Sequence, residues 1–202
     1  MHKAHGDVIC GGHEEAIREV LRQCNPDGRR RSISTTTDDL KLTNDGALVQ
    51  LYGKNPDLRR FRLRSINLDW RGPTVTLRLD LSSFPETILP EWKGTEVDTV
   101  QCHLRFLAVE NLSMPEWEPP IPSALLETQS LEEERRVRVR VTGDGVALGF
   151  TSSESVQVGH VSAFKISADG TDKTRHLFFK RIDAVRYSSI PATEEKTFYG
   201  RI

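Results

Sequence analysis

From Phe61 onward, apolar side chains recur at every second residue, and this period of two constrains the fold more than any other feature of the chain. Successive side chains point to opposite faces in a strand, so such a pattern describes a sheet with one greasy side. RVRVRVTGDGVALGF (136–150) is the clearest case. Val137, Val139 and Val141 alternate, and Val146, Leu148 and Phe150 alternate on the opposite parity. Pairing across Gly143-Asp144 sets Val141 beside Val146, Val139 beside Leu148 and Val137 beside Phe150. Pairing across Asp144-Gly145 also keeps all six on one face, and the turn chemistry permits either.

FRLRSINLDWRGPTVTLRLDLSSFP (61–85) predicts a second hairpin, with one slip of phase. Phe61 and Leu63 share a face with Ile66, Leu68 and Trp70 only if a β-bulge intervenes near Arg64-Ser65. Arg71-Gly72 makes the turn, and Val75, Leu77, Leu79 and Leu81 return in strict alternation. On this reading Trp70 is a core residue, and Arg62, Arg64 and Arg78 form the solvated side. Residues 99–110, 155–167 and 175–187 read as further strands, the last two joined by Ala168-Asp169-Gly170. In the first of these Val100, Cys102, Leu104 and Phe106 oppose Gln101, His103 and Arg105. At least seven strands predict a mainly β (α+β) fold, an antiparallel sheet that is sandwich-like or strongly curved, with an N-terminal helix.

Residues 1–40 are set apart as a helical extension and linker, and 41–202 as the β-rich domain. HEEAIREVLRQ (13–23) puts Ala16, Ile17, Val20 and Leu21 on one helical stripe, and Asn25-Pro26-Asp27-Gly28 stops it. Apolar spacing in 44–56 suits a short helix or an irregular entry to the domain. Residues 106–134 hold no Lys, Arg or His, but carry several Glu and four Pro. Proline and like charge disfavour a central strand, so 111–131 reads as a long acidic surface connection.

Chemistry is sparse. No nucleophile elbow, phosphate-binding loop, dinucleotide glycine fingerprint or Cys-x-x-Cys pair occurs. His2, His5, Cys10 and His13 have metal-like spacing, but they fall in a Gly-rich terminal segment; no metal or other cofactor is expected. His160 interrupts an apolar alternation as a partly buried, hydrogen-bonded histidine does. A net charge of −1 supplies no general attraction to nucleic acid or anionic membrane. The first residues lack a secretory apolar core, and the three cysteines are far apart, so a cytoplasmic location is expected. Trp92, in PEWKG, and Trp117, in PEWEPP, either plug the ends of the sheet or anchor a protein interface.

LRSINLDWRGPTVTLRLDLSSFP, PEWKGTEVDTVQCHLRFLAVENLSMPEW and GVALGFTSSESVQVGHVSAFK occur in that order. Over about residues 44–187 they resemble the immunity protein 50 family of bacterial polymorphic toxin systems. The resemblance implies a non-catalytic protein that binds a cognate toxin and blocks it in the producing cell or its siblings. It carries over no functional residue. Charge suggests where the toxin would bind: acidic side chains speed association with a basic cleft. Glu110, Glu116, Trp117 and Glu118, with Trp92, are the candidate partner-binding residues. The competing readings are a β-sheet module binding a carbohydrate or peptide, and a hydrolase whose site is dispersed along the chain.

Overall fold

The alternating segments pair into one sheet. The computed structural model describes residues 40–131 and 135–193, all within the unit spanning residues 34–202. The helix expected over 13–23 and its linker lie outside the described residues. The strands are β1 (Lys41–Thr43), β2 (Arg60–Asp69), β3 (Thr74–Leu81), β4 (Thr99–Phe106), β5 (Glu110–Trp117), β6 (Ile121–Leu131), β7 (Arg136–Gly143), β8 (Val146–Ser153), β9 (Ser155–Phe164) and β10 (Leu177–Phe178). Helix α1 (Gly46–Tyr52) precedes β2, and α2 (Arg181–Arg186) follows β10. The sheet order is β1-β9-β4-β3-β2-β6-β7-β8-β5, with β10 attached to β9. Every pairing is antiparallel except β1 with β9.

Phe106 of β4 meets Phe150 of β8 edge to face at 5.1 Å, although four strands separate β4 from β8 in the sheet. The sheet therefore curls until its apolar face packs upon itself. Val75, Leu77, Leu79, Val100, Leu104, Val137, Val139 and Leu148 fill that interior. Ala47, Leu48 and Leu51 of α1 are buried as the 3.6-residue spacing predicts.

Two registers are decided by the structure. The β2–β3 ladder shifts between Leu63 and Ser65, at the expected bulge. The β7–β8 hairpin turns on Asp144-Gly145, so Val141 faces Leu148 and Val139 faces Phe150. Gly145 has φ +79°, and a Cβ there would meet the Glu118 carbonyl oxygen at 2.6 Å. The same residue's carbonyl accepts a hydrogen bond from Glu118 N at 2.7 Å, so the close approach that demands glycine also secures the end of β5.

Four expectations are corrected. Residues 111–131 are not a connection but most of β5 and β6. Pro115 is tolerated because β5 is an edge strand, and Pro122 falls before β6 begins pairing with β7 at Ala124. The acidic charge is accommodated by cross-strand arginines: Glu127 lies 3.7 Å from Arg140. Residues 175–187 are not one strand, since only Leu177 and Phe178 pair before the chain coils into α2. Trp70 is not core. It sits in the β2–β3 turn, 84% exposed, because the interior ends one residue pair earlier. Arg62, Arg64 and Arg78 are not a solvated face. Residues beyond Phe164 lie across them, and Arg64 keeps only 10% of its side-chain surface.

Candidate functional site

Polar residues on the outer face of β2, β3, β4 and β9 are brought into rows by the strand register. Arg62, Asp80, Gln101 and Ser162 stand opposite one another across the four strands. Asp80 is 3% exposed. Its Oδ2 accepts hydrogen bonds from Arg64 Nε at 2.8 Å and from Arg64 Nη2, and its Oδ1 accepts one from Gln101 Nε2 at 2.7 Å. Arg62 Nε lies 3.8 Å away. The segment after β9 completes the cluster. The Gly170 carbonyl accepts from Arg64 Nη1 at 2.7 Å, and Asp172 accepts from Gln101 and pairs with Arg78 at 3.4 Å. Burial alone would raise the Asp172 pKa, but the Gln101 hydrogen bond and the charges of Arg78 and Arg64 together hold it below the usual carboxylate value. Three guanidinium groups thus share two carboxylates.

Beside this cluster is a recess of about 180 Å³ between β4, β9 and α2. His103, His160 and Asp183 line it, with Arg105, Lys180, Thr76 and Thr193. A bulge in β9 makes it: the β4–β9 register shifts between Gln101 and His103, and His160 takes φ +49°. The extra residue turns His160 out of the apolar row and towards Asp183, with 3.5 Å between His160 Nδ1 and Asp183 Oδ2. This Nδ1 makes no hydrogen bond, so the hydrogen-bonded histidine expected at this position is half right: it is nearly buried, but unsatisfied at that atom. His103 stacks edge to face on it at 5.3 Å, and His103 Nε2 is also without a partner among the described residues. Burial, then electrostatic interaction with His160 and with the guanidiniums of Arg78 and Arg105, pushes His103 down to about 3. It is therefore a neutral imidazole at pH 7, able to accept a hydrogen bond but carrying no charge. Burial pushes the Cys102 thiol up to about 12, which makes it inert as a nucleophile. Among the described residues no group of three or more His, Cys, Asp or Glu side chains is arranged to hold a metal ion.

The residues nominated from charge lie elsewhere. Glu110, Glu116 and Trp117 belong to β5, and Glu118 follows it, so four of the five candidates share one sheet edge. Glu110 is exposed and pairs with Arg136 at 3.1 Å, which offsets its charge. Glu116 is half-buried and Glu118 exposed, and neither has an ion-pair partner among the described residues. Trp117 packs its ring partly against the core. Trp92 does not join them. It is 1% exposed in a 3₁₀ turn, Pro90–Trp92, and it fills the interior as a plug rather than presenting an anchor.

The Asp80 cluster and the histidine recess were not found by pattern reading. Their members sit on alternate residues of ordinary amphipathic strands, and only the pairing register sets Asp80 opposite Gln101. The available signal was local: the break at Gly159-His160 in an otherwise alternating strand.

Residues 44–164 match the family model described as Immunity protein 50. No curated protein matches the chain, and no solved structure does. The matched span ends on the last residue of β9, so Asp172, His176, Lys180 and Asp183 all come from outside it.

Proposed function

Because the chain belongs to the immunity protein 50 family, we propose that it binds a cognate toxin of a bacterial polymorphic toxin system and neutralises it without catalysis. The family match carries this reading. It covers β2 to β9, including the edge strand β5, and it omits the segment that completes the polar recess. The toxin-binding face would then lie on the sheet, in the cytoplasm of the producing cell. Glu116, Trp117 and Glu118 are its nominated centre, with Glu110 at the margin. Trp92 contributes by holding the core.

Growth rescue tests the reading directly. Co-expression with the toxin encoded by the neighbouring gene is expected to restore growth, and the purified pair to form a stable complex. Absence of both would remove the proposal. Reversing Glu116 and Glu118 to lysine is expected to slow association about 10-fold at low ionic strength, with the difference shrinking as salt rises. An on-rate unchanged at every salt concentration would move the binding face away from this edge.

One observation favours a second reading, a ligand-binding module or a hydrolase with a dispersed site. The recess gathers His103, His160 and Asp183 from three segments distant in sequence. However, no serine or cysteine lines it, and its hydroxyls are those of Thr76 and Thr193. Turnover of an ester, amide or glycoside by the purified protein, abolished by His160→Gln, would favour this reading over the first.

A further inference from the structure

The β2–β3 turn holds its shape without help from the Trp70 side chain. Asp69 Oδ1 accepts a hydrogen bond from Arg71 N at 3.0 Å, which closes the turn. Val109 N donates to the Pro73 carbonyl at 2.8 Å and packs against the core. The strap 107–109 thus seals the end of the interior below the turn and leaves Trp70 outside it. The indole is 84% exposed, and the Arg71 guanidinium lies over it, 6.0 Å from the ring centroid. Leu68, on the same face, is 40% exposed although its strand partner Val75 is buried.

This corner is not isolated. Glu110, which opens β5, directly follows Val109, and Leu112 and Met114 of that strand are also exposed. Trp70 and Leu68 thus stand exposed at the hairpin, with Arg71 beside the ring, and β5, tied to the hairpin through Val109, exposes Leu112 and Met114. A large rigid ring left in solvent, with an exposed leucine on the same strand face and a guanidinium beside it, has the composition of an interface centre. A fully solvated indole contributes nothing to the fold that a smaller residue would not.

We infer that Trp70 is the principal anchor by which this protein holds its toxin, entering an apolar cleft whose rim offers carboxylates to Arg71. The inference rests on the toxin-neutralising reading above and adds the contact that dominates its affinity. It extends the binding surface from the β5 edge to the hairpin tip.

The probe is the toxin of the rescue experiment, carrying an inactivating substitution in its own active site. Trp70→Ala is expected to weaken binding on the order of 100-fold, mainly through faster dissociation. Trp70→Phe should retain part of the affinity, and Leu68→Ala should lose about 10-fold. The unfolding midpoint of Trp70→Ala should match that of the unmodified protein, because the ring is outside the core. Acrylamide quenching should show a solvent-open indole that becomes protected in the complex and is missing from the Trp70→Phe variant. Binding by unmodified protein with undiminished affinity in Trp70→Ala would overturn this inference while leaving the toxin reading intact. Failure of the unmodified protein to bind would instead remove both. A dimer of the free protein that Trp70→Ala dissolves would also overturn it, by making a second copy the ring's occupant.

Discussion

Replacing Asp80 by asparagine is expected to lower the unfolding free energy by about 3–5 kcal/mol, the largest loss we anticipate from a single polar substitution in this protein. The carboxylate lies at the centre of a cluster that burial makes expensive. Arg64, with 10% of its side chain exposed, directs two guanidinium nitrogens at Asp80 Oδ2 and a third at the Gly170 carbonyl. Arg62 and Arg78 are the neighbouring cations, and Asp172 is the other carboxylate. With asparagine at position 80, three guanidiniums would face a single anion in a partly dehydrated setting. Coulomb repulsion there is stronger than at a free surface, and the lost hydrogen bonds cannot be fully replaced by water. The asparagine oxygen could keep the bond from Gln101 Nε2, which now donates to Asp80 Oδ1 at 2.7 Å, only by turning its NH2 donor towards the Arg64 guanidinium.

Urea unfolding followed by far-ultraviolet circular dichroism measures the loss. An Arg64→Met substitution added to Asp80→Asn should recover part of it, because removing both charges relieves the imbalance that removing one creates. A loss below about 1 kcal/mol for Asp80→Asn would mean that the cluster is solvated and no stronger than a surface ion pair.

The strands of the interior were legible because a one-sided sheet writes its buried face into the chain. Val75, Leu77, Leu79 and Leu81 recur at every second residue because an odd step would place one of them outside. The same rule exposed the bulge between Leu63 and Ser65, where the apolar parity slips. It failed where its assumption failed. Parity set Trp70 with Ile66 and Leu68, but parity fixes only the side of the sheet; it does not say where the interior ends. Arg62, Arg64, Arg78, Gln101 and His103 show the pattern of a wet face, and a face covered by polar chain has the same alternation as one covered by water. Only long-range contacts from residues 170–183 distinguish the two. Prolines misled differently. They do exclude a central, fully paired strand, yet Pro115 lies on an edge, and Pro122 lies ahead of the β6–β7 ladder and at the register shift of the β2–β6 ladder. The candidate site divides in the same way. Charge composition led to the β5 edge, which is a real surface, whereas the exposed indole at the hairpin tip needed a view of where the core stops.

Acid should destabilise the protein well above the pH at which carboxylates titrate, and His103 should account for most of that effect. Its imidazole is 8% exposed, and burial is the main reason its pKa falls to about 3 from an ordinary value of 6.5. Electrostatic interaction with His160 and with the guanidiniums of Arg78 and Arg105 acts in the same direction, while a hydrogen bond to the Pro191 carbonyl opposes them. A histidine with a depressed native pKa binds its proton in the unfolded chain first. The stabilisation is therefore complete above about pH 6.5 and is lost progressively as pH falls towards 3. At about pH 4.5 the unfolded chain holds one proton there that the native protein does not, a difference of about 2.7 kcal/mol relative to neutral pH. His176, also depressed chiefly by burial, adds to the loss. Asp172, held below the ordinary carboxylate value, begins to contribute only at lower pH. The comparison that isolates His103 is a difference of differences: unfolding free energy at neutral pH minus that at about pH 4.5, in the unmodified protein and in His103→Gln. Glutamine has no titrating ring, so any constant cost of the substitution cancels, and the variant should be flatter by about 2–3 kcal/mol across this interval. Equal slopes in the two proteins would show that the native imidazole takes up its proton as readily as the unfolded one, and that the outer face of β4 is open to water after all.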